Sequence, residues 1–460
     1  MKKVLLSTAL ISVCLMAGAQ TRAGGSSSSK TPAGAAYTLS DGSTVTKTGE
    51  TLSSSTQYYN VVQVTNGTLN LENCTISKTG DGASGDNSSF YGINSAVYAG
   101  DGTASSSTTS AKNAKINITG GTITTSSQGA NAIFATNGAT ITADGVTIDN
   151  SQTVSRGMHA TFGGIINATN MNITTRKATS STVATDRGGG TVTISESTLT
   201  AKGDKSAVLY STGTITATSV TGLSEQGPIA TVEGTNYAYI INSNMTSGSE
   251  KRGLFLQQSG SGDAEGKQPV CSVTSSTLTM TNSTAPLIYI KNVTGSVHLT
   301  DVTLNIASGK LMVVPESDGS TGTLALKTTQ DSWTYTGTVD AGASTKAVVT
   351  VGANVTWEGA VDSDNDAQST SVTIERGAVW NLTANSYVTT LVNNGTINRN
   401  GYTLTATSTS GSGTINETTG IAEVVSRQEA DNQCYDLTGR RVNATTKGLV
   451  IRNGKKIINQ

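Results

Sequence analysis

The chain has 460 residues and a formal net charge of −1, and only 13% of its residues are charged. This balance argues against recruitment to nucleic acid or to anionic membranes by net charge, and against disorder driven by self-repulsion. The 51 glycines, with abundant Ser, Thr and Asn, are typical of many short strands and tight turns rather than of helices.

The first 19 residues have the features of a secretory signal peptide. Two lysines at positions 2 and 3 precede an apolar run over residues 5–16, which is too short to span a bilayer. Ala17-Gly18-Ala19 fits a small-x-small cleavage site. We therefore expect an exported mature chain beginning at Gln20, with no transmembrane segment. Residues 20–36, rich in Gly and Ser, are predicted to form a flexible linker.

A repeat organises the chain from residue 132 to residue 314. Seven segments share a small or turn residue, an aliphatic residue, two mixed positions and a polar end, and their aliphatic positions are 25, 25, 25, 21, 25 and 33 residues apart. These positions are Ile133, Met158, Val183, Val208, Ile229, Leu254 and Leu287. Such a period indicates one supersecondary unit stacked many times.

A second signal divides each repeat into shorter strands. It is a pair of apolar residues five positions apart, as in Ile141/Val146, Ile166/Met171 and Ile194/Leu199. About 25 residues per coil accommodates three strands of three to six residues with their turns. The prediction is an all-β chain in which strands of successive coils pair in parallel.

This pattern resembles the right-handed parallel β-helix (β-solenoid) of the pectate-lyase-like superfamily over residues 37–415. Trp333, Trp357 and Trp380 recur once per coil, and the surrounding sequence resembles passenger segments of autotransporter-type adhesins. The resemblance implies an elongated solenoid with a long exposed flank.

Residues 416–460 differ in character and are predicted to form a small C-terminal β tail. The stretches Tyr435-Asp436-Leu437-Thr438-Gly439-Arg440-Arg441-Val442 and Lys447-Gly448-Leu449-Val450-Ile451 resemble sorting tails of the type IX (Por) secretion system. This resemblance implies delivery to the outer surface of a Gram-negative-type bacterium. The alternative is that the tail caps the open end of the solenoid.

Alternation along a strand gives a candidate binding face. If the repeated aliphatic positions point inward, the next residue of each coil points outward. The resulting apolar face is Phe134, His159, Leu209, Phe255 and Ile288. A face this apolar can mark a binding surface; the alternative is that a turn or an insertion, for instance residues 257–270, covers it.

No residue set in the sequence predicts a catalytic, cofactor or metal site. His159, Asp186 and Arg187 fall in neighbouring coils, without a recognisable catalytic motif. The stretch 362–366 resembles the start of a calcium loop, but Ala367 replaces the turn glycine and Thr373 the bidentate glutamate. Cys74, Cys271 and Cys434 form no C-x-x-C pair and are expected to be buried free thiols.

Together these features predict a secreted or surface-displayed adhesin-like protein with a non-catalytic binding or structural role. The candidate partners are glycans or host surface proteins, and no nucleic acid or cofactor is expected. The alternative is a polysaccharide lyase or glycoside hydrolase of the β-helix type. A third possibility is a self-associating component of a surface layer.

Overall fold

The computed structural model describes residues 31–459, except residues 81, 83–84, 104–105, 260–263, 317–318, 418–433, 438–439, 444–445 and 453–454. The predicted signal peptide, most of the predicted linker and much of the predicted tail lie outside the described residues. The described chain is almost entirely short strands, with one helix at Gly85–Tyr91. Four parallel sheets stack as a β-solenoid, which confirms the predicted fold class.

The strands of the four parallel sheets follow the coils in order. Sheet A contains Gly34–Leu39, Tyr59–Val64, Val97–Ala99, Ile133–Ala135, Met158–Thr161, Val183–Asp186, Leu209–Ser211, Ala230–Glu233, Leu254–Gln257, Ile288–Lys291, Lys310–Val314 and Thr338–Ala341. Sheet B contains Thr44–Thr48, Gly67–Glu72, Ala114–Thr119, Thr140–Asp144, Ile165–Thr169, Thr191–Ser195, Thr214–Thr218, Tyr237–Ile241, Val270–Thr274, Thr294–Thr300, Thr321–Lys327, Lys346–Val351, Ser369–Ile374, Ser386–Asn393 and Leu404–Ser410. Sheet C contains Thr51–Ser54, Thr75–Lys78, Thr122–Thr125, Thr147–Asn150, Asn172–Thr175, Thr198–Ala201, Thr221–Ser224, Asn244–Ser247, Thr277–Met280 and Thr303–Ile306. Sheet D contains Trp333–Thr336, Val355–Gly359, Val379–Leu382, Thr396–Asn398 and Thr414–Asn416.

A continuous apolar core fills the interior of the solenoid, because each strand sends alternate side chains inward. In sheet B, for example, Ile141 and Ala143 are fully buried whereas Thr142 and Asp144 are exposed. Ile141 pairs with Ile116 in one neighbouring coil and with Ile166 in the other. Burial of such ladders in every coil is the main source of stability for a structure of short parallel strands.

The turn from sheet B to sheet C places one residue per coil in the left-handed region. That residue is Asn73, Asn170, Glu196, Ser219, Asn242, Ser275 or Asp301, with φ between 48° and 56°. Asn and Asp tolerate this conformation better than other non-glycine residues. Asn or Asp therefore occupies this turn in four of the seven coils, whereas Glu196, Ser219 and Ser275 are residue types that adopt this conformation less readily.

The last coils contain a strand of sheet B and a strand of sheet D, after sheets A and C have ended. Trp357 and Trp380 pair in register and are fully buried. Trp333 pairs with Val355, and Tyr335 is the residue that pairs with Trp357. The once-per-coil aromatic signal thus marks an interior ladder whose first member is Tyr335 rather than Trp333.

The C-terminal segment forms a small antiparallel sheet, here called sheet E, from Arg441–Val442, Cys434–Tyr435, Gly448–Arg452 and Lys455–Asn459. A small β tail is therefore present, while its role as a sorting signal stays a prediction. Cys74, Cys271 and Cys434 are buried free thiols, as expected. Among the described residues, no helix has the length and apolarity needed to cross a membrane.

Candidate functional site

The predicted binding face divides between two ladders of sheet A. Phe134 pairs with His159, and their ladder continues through Ala184, Tyr210, Thr231, Phe255 and Tyr289 on the outer face. Leu209 pairs with Val183 of the inner ladder, and Ile288 with Leu254. Leu209 and Ile288 belong to the core, so their outward placement was wrong.

The reason is that a pair of adjacent aliphatic residues starts each of these strands. Both Val208 and Leu209 are buried in the core, as are both Leu287 and Ile288, because the chain rounds the corner before sheet A there. An alignment by residue type cannot distinguish the two. The turn at residues 187–190, before the Thr191–Ser195 strand, is also one residue longer than the preceding turn at 162–164. The residue that pairs with Val183 is therefore Leu209 rather than Val208.

The helix Gly85–Tyr91 and the residues after it cover the first part of the outer ladder. Phe134 and His159 are fully buried. The Phe134 ring stacks on Tyr98 with 5.7 Å between ring centroids, and a Cβ atom at Gly92 would overlap it. Phe134 and His159 are therefore covered by another part of the chain, as the alternative to an exposed binding face predicted. The segment that covers them, however, is the helix with the residues after it, and not the insertion at residues 257–270 that was given as the example.

Buried polar groups under this helix compensate one another. The Nε2 atom of His159 lies 3.9 Å from the Oδ2 atom of Asp186, and an Nη atom of Arg156 lies 3.7 Å from the same oxygen. Burial holds the pKa of His159 well below its usual value, and the charge of Arg156 lowers it further. His159 is therefore neutral at physiological pH, and the Arg156–Asp186 pair is the charged contact.

Arg187 fixes the helix from the opposite side of the cluster. Its guanidinium lies 4.4 Å from the centroid of Phe90 and donates to the Tyr91 hydroxyl at 3.2 Å. Tyr91 in turn stacks on Phe162. His159, Arg156 and Asp186 thus meet in one buried cluster, while Arg187, which follows Asp186 in the chain, packs against the helix that covers it.

An open groove lies at the corner where sheet A turns into sheet B. It has a volume of about 740 Å³. Its lining is Ser106, Phe162, Gly188, Gly189, Thr212, Thr235, Asn236, Ala264, Glu265 and Gly266. The floor consists of short turns in four consecutive coils, at residues 162–164, 187–190, 212–213 and 234–236.

Described residues of two long insertions border this corner groove, and both insertions leave the solenoid at the turn from sheet A to sheet B. Residues 100–113 leave it in an earlier coil, and the Nδ2 atom of Asn137 donates to the Ser107 carbonyl at 3.1 Å. Residues 258–269 leave it in a later coil, and the Thr235 amide donates to the Glu265 carbonyl at 2.7 Å. Each insertion is therefore held by a hydrogen bond to a turn of this corner, at Asn137 and at Thr235 respectively.

The corner groove was not anticipated as a site, although the sequence indicated an insertion at residues 257–270. The signal in the sequence was that the two Gly/Ser-rich insertions follow the same repeat position, after Val97–Ala99 and after Leu254–Gln257. A run of three glycines, Gly188-Gly189-Gly190, occurs between them. Their coincidence at one corner follows only once the register of sheet A is known.

Four carboxylates gather near the end of sheet A. One oxygen each from Asp340, Asp362, Asp364 and Asp366 lie within 4.8 Å of one another. Burial, followed by repulsion from the other three, raises the pKa of Asp340 to about 6. Asp340 and Asp364, together with Lys310, line a second groove of about 400 Å³. The loop anticipated as acidic thus gains a fourth carboxylate from the adjacent coil.

Comparison with known proteins returns no matching family model, no matching curated protein and no matching solved structure.

Proposed function

We propose that this chain is a secreted or surface-displayed, adhesin-like solenoid that binds an external glycan or a host surface protein without cleaving it. The observation that carries this proposal is the corner groove between the two insertions. Insertions are tolerated at any turn of a solenoid, and loops placed on one side of a repeat structure commonly carry its binding function. Two of them at one corner, with short glycine-rich turns between, create a concave surface on a rigid support.

The chemistry of the corner groove supports binding rather than hydrolysis. Among the described residues that line it, Glu265 is the one carboxylate. Hydrolysis of glycosides generally requires two carboxyl groups on opposite sides of the scissile bond. The groove offers hydroxyl groups, an amide and backbone atoms instead, which are groups that orient a ligand.

The test is a binding screen of the purified mature chain against immobilised glycans, mucins and host matrix proteins, with analysis of the supernatant. The proposal predicts retention on at least one of these surfaces, with no release of reducing ends or unsaturated sugars. Release of such products would refute the non-catalytic role. Failure to bind any of the surfaces would refute the binding role.

Polysaccharide cleavage is the second candidate function, and the acidic groove favours it. A carboxyl group with a raised pKa beside other carboxylates is suited to general acid–base catalysis, and Asp340 meets this description. We rank it second because Asp364 and Asp366 are exposed on one loop, as in an ordinary solvated acidic turn. If sugar products appear in the screen, Asp340→Asn should abolish them, whereas Glu265→Gln should not.

A further inference from the structure

The corner groove has a direction, because its floor crosses the coils rather than following one of them. The turns at residues 162–164 and 234–236 belong to the first and the last of four consecutive coils. Since adjacent strands are about 4.8 Å apart, the floor measures roughly 14 Å along the solenoid axis. A ligand that fills it therefore lies parallel to the axis and contacts several coils at once.

Glycine keeps the middle of the floor open. Gly188 and Gly189 have φ values of 74° and 69°, in the region where side chains are disfavoured. A Cβ atom on Gly188 would lie 2.7 Å from the Phe162 ring, whereas one on Gly189 would meet nothing closer than 3.6 Å. The space above Gly189 is therefore available to a ligand.

The side chains at the far end of the groove accept hydrogen bonds more readily than they donate them. The Nδ2 atom of Asn236 already donates to the Glu233 carbonyl, which leaves its Oδ1 atom directed elsewhere. Glu265 and Thr235 are exposed. Carboxylate and amide oxygens pair with hydroxyl donors, which are plentiful on sugar rings. Within the described part of the lining, the one formal charge is negative, so it disfavours uronate, sialylated and sulfated chains.

The floor is unsuited to an extended peptide. Peptides that bind to sheets pair with an unpaired strand edge. Here the turns bond to one another: the Phe162 amide donates to the Arg187 carbonyl at 2.9 Å, and the Gly163 amide donates to the Gly189 carbonyl at 2.6 Å. These backbone groups of the floor are already paired along the solenoid axis.

We infer that the corner groove binds a neutral glycan chain that lies along the solenoid axis, with Glu265, Asn236 and Thr235 receiving its hydroxyl groups. This inference rests on the proposed binding function and specifies its ligand class and its site. Phe162 borders the other end of the groove. Half-buried there, it supplies the apolar contact that sugar C–H groups favour.

The test compares neutral glucan and galactan oligosaccharides with polygalacturonate oligosaccharides of equal length by isothermal titration calorimetry on the mature chain. Glu265→Gln and Thr235→Ala change exposed side chains and leave the turns bonded. Thr235→Ala removes one hydrogen-bond partner, and Glu265→Gln replaces a charged acceptor by a weaker neutral one, so each is expected to weaken neutral-chain binding by about tenfold. Gly189→Asn introduces a residue type that tolerates positive φ and places its side chain in the space above the floor, so it should abolish binding.

Glu358→Gln, at an exposed carboxylate of sheet D, is the matched control and should bind as the wild type does. Neutral-chain affinity that is unchanged in all three groove variants would overturn the site. Binding of polygalacturonate alone, strengthened by Glu265→Gln, would overturn the ligand class while leaving the binding function intact. No binding of any glycan here, with no binding in the wider screen, would overturn the proposed function itself.

Discussion

Trp357 and Trp380 stack on each other in consecutive coils, with 5.1 Å between ring centroids and an interplanar angle of 11°. Both are fully buried, and each indole Nε1 donates to a backbone carbonyl at 3.0 Å, that of Gly337 and that of Gly359 respectively. The stack fills the narrow interior between sheets B and D, where the coils have lost the strands of sheets A and C.

Removing one ring of this stack should destabilise the last coils. Trp380→Ala creates a cavity and removes the indole hydrogen bond to the Gly359 carbonyl, which keeps the Thr383 amide as its other donor, so we expect a loss of about 3–5 kcal/mol. Because each coil contacts only its neighbours, the loss should appear as faster hydrogen exchange in residues 355–416. Trp333→Ala, at a half-buried indole, is the control with a smaller effect. Equal effects of the two substitutions would contradict the assignment of Trp380 to the interior.

The cover over Phe134 and His159 should depend on Arg187. Arg187→Ala removes the contacts with Phe90 and Tyr91, so we expect faster hydrogen exchange in residues 85–98 with little change in the rest of the solenoid. Arg176→Ala is the matched control, since that guanidinium forms an exposed pair with Asp149 on sheet C. Exchange in residues 85–98 that is unchanged by Arg187→Ala would show that other contacts hold the helix.

Glu196 is strained at a turn where the other coils with a non-glycine residue of positive φ have Asn, Asp or Ser. Its φ is 50°, and its side chain is exposed. Glu196→Gly should therefore stabilise the fold by about 0.5–1 kcal/mol, measured as an upward shift of the thermal midpoint. Asn170→Ala, at the equivalent position one coil earlier, should destabilise it by a similar amount. A lower midpoint for Glu196→Gly would mean that the glutamate side chain stabilises this turn.

The acidic cluster should destabilise the fold at neutral pH. The pKa of Asp340 is raised from 3.8 to about 6, so the folded chain retains a proton that the unfolded chain loses. The contribution to stability therefore falls as the pH rises from about 4 to about 6, and the full penalty is present above that window. Asp340→Asn should raise the free energy of unfolding at pH 7.5 by on the order of 1 kcal/mol after allowance for solvent screening. The increase should be measured as a higher unfolding midpoint in urea.

At pH 3.5 the same substitution should have almost no effect, because Asp340 is protonated in both states. Asp331→Asn, at an exposed carboxylate elsewhere, provides the baseline at both pH values. If Asp340→Asn destabilises the chain at pH 7.5, then the charged carboxylate makes a favourable contact that outweighs the repulsion.

The repeat period predicted the stacking of the coils, because inward aliphatic residues must recur wherever a strand returns to the same sheet. Ile133, Met158 and Val183 do lie in one ladder. The period could not fix the register through Leu209 and Ile288, since two adjacent aliphatic residues fill the corner in those coils. It also could not show that the helix at Gly85–Tyr91 returns over His159, because that contact joins residues far apart in sequence.

The corner groove could not be predicted without the register of sheet A, because it too is formed by residues far apart in sequence. Insertions 100–113 and 258–269 leave the solenoid six coils apart, and only the three-dimensional structure shows that their described residues flank the turns at Gly188 and Thr235. The polar lining of the corner groove consists of common surface residues that belong to no recognisable sequence motif. The carboxylate of Asp340 joined the acidic loop unnoticed because it lies in the preceding coil, 22 residues before Asp362.

The most direct measurement is a crystal structure of the mature chain with a neutral oligosaccharide selected by the calorimetric comparison. Electron density for the sugar should follow the floor from Phe162 past Gly189 to Glu265, with the glycosidic bonds intact. Density in the groove of Asp340 and Lys310, or a cleaved ligand in either groove, would contradict the account.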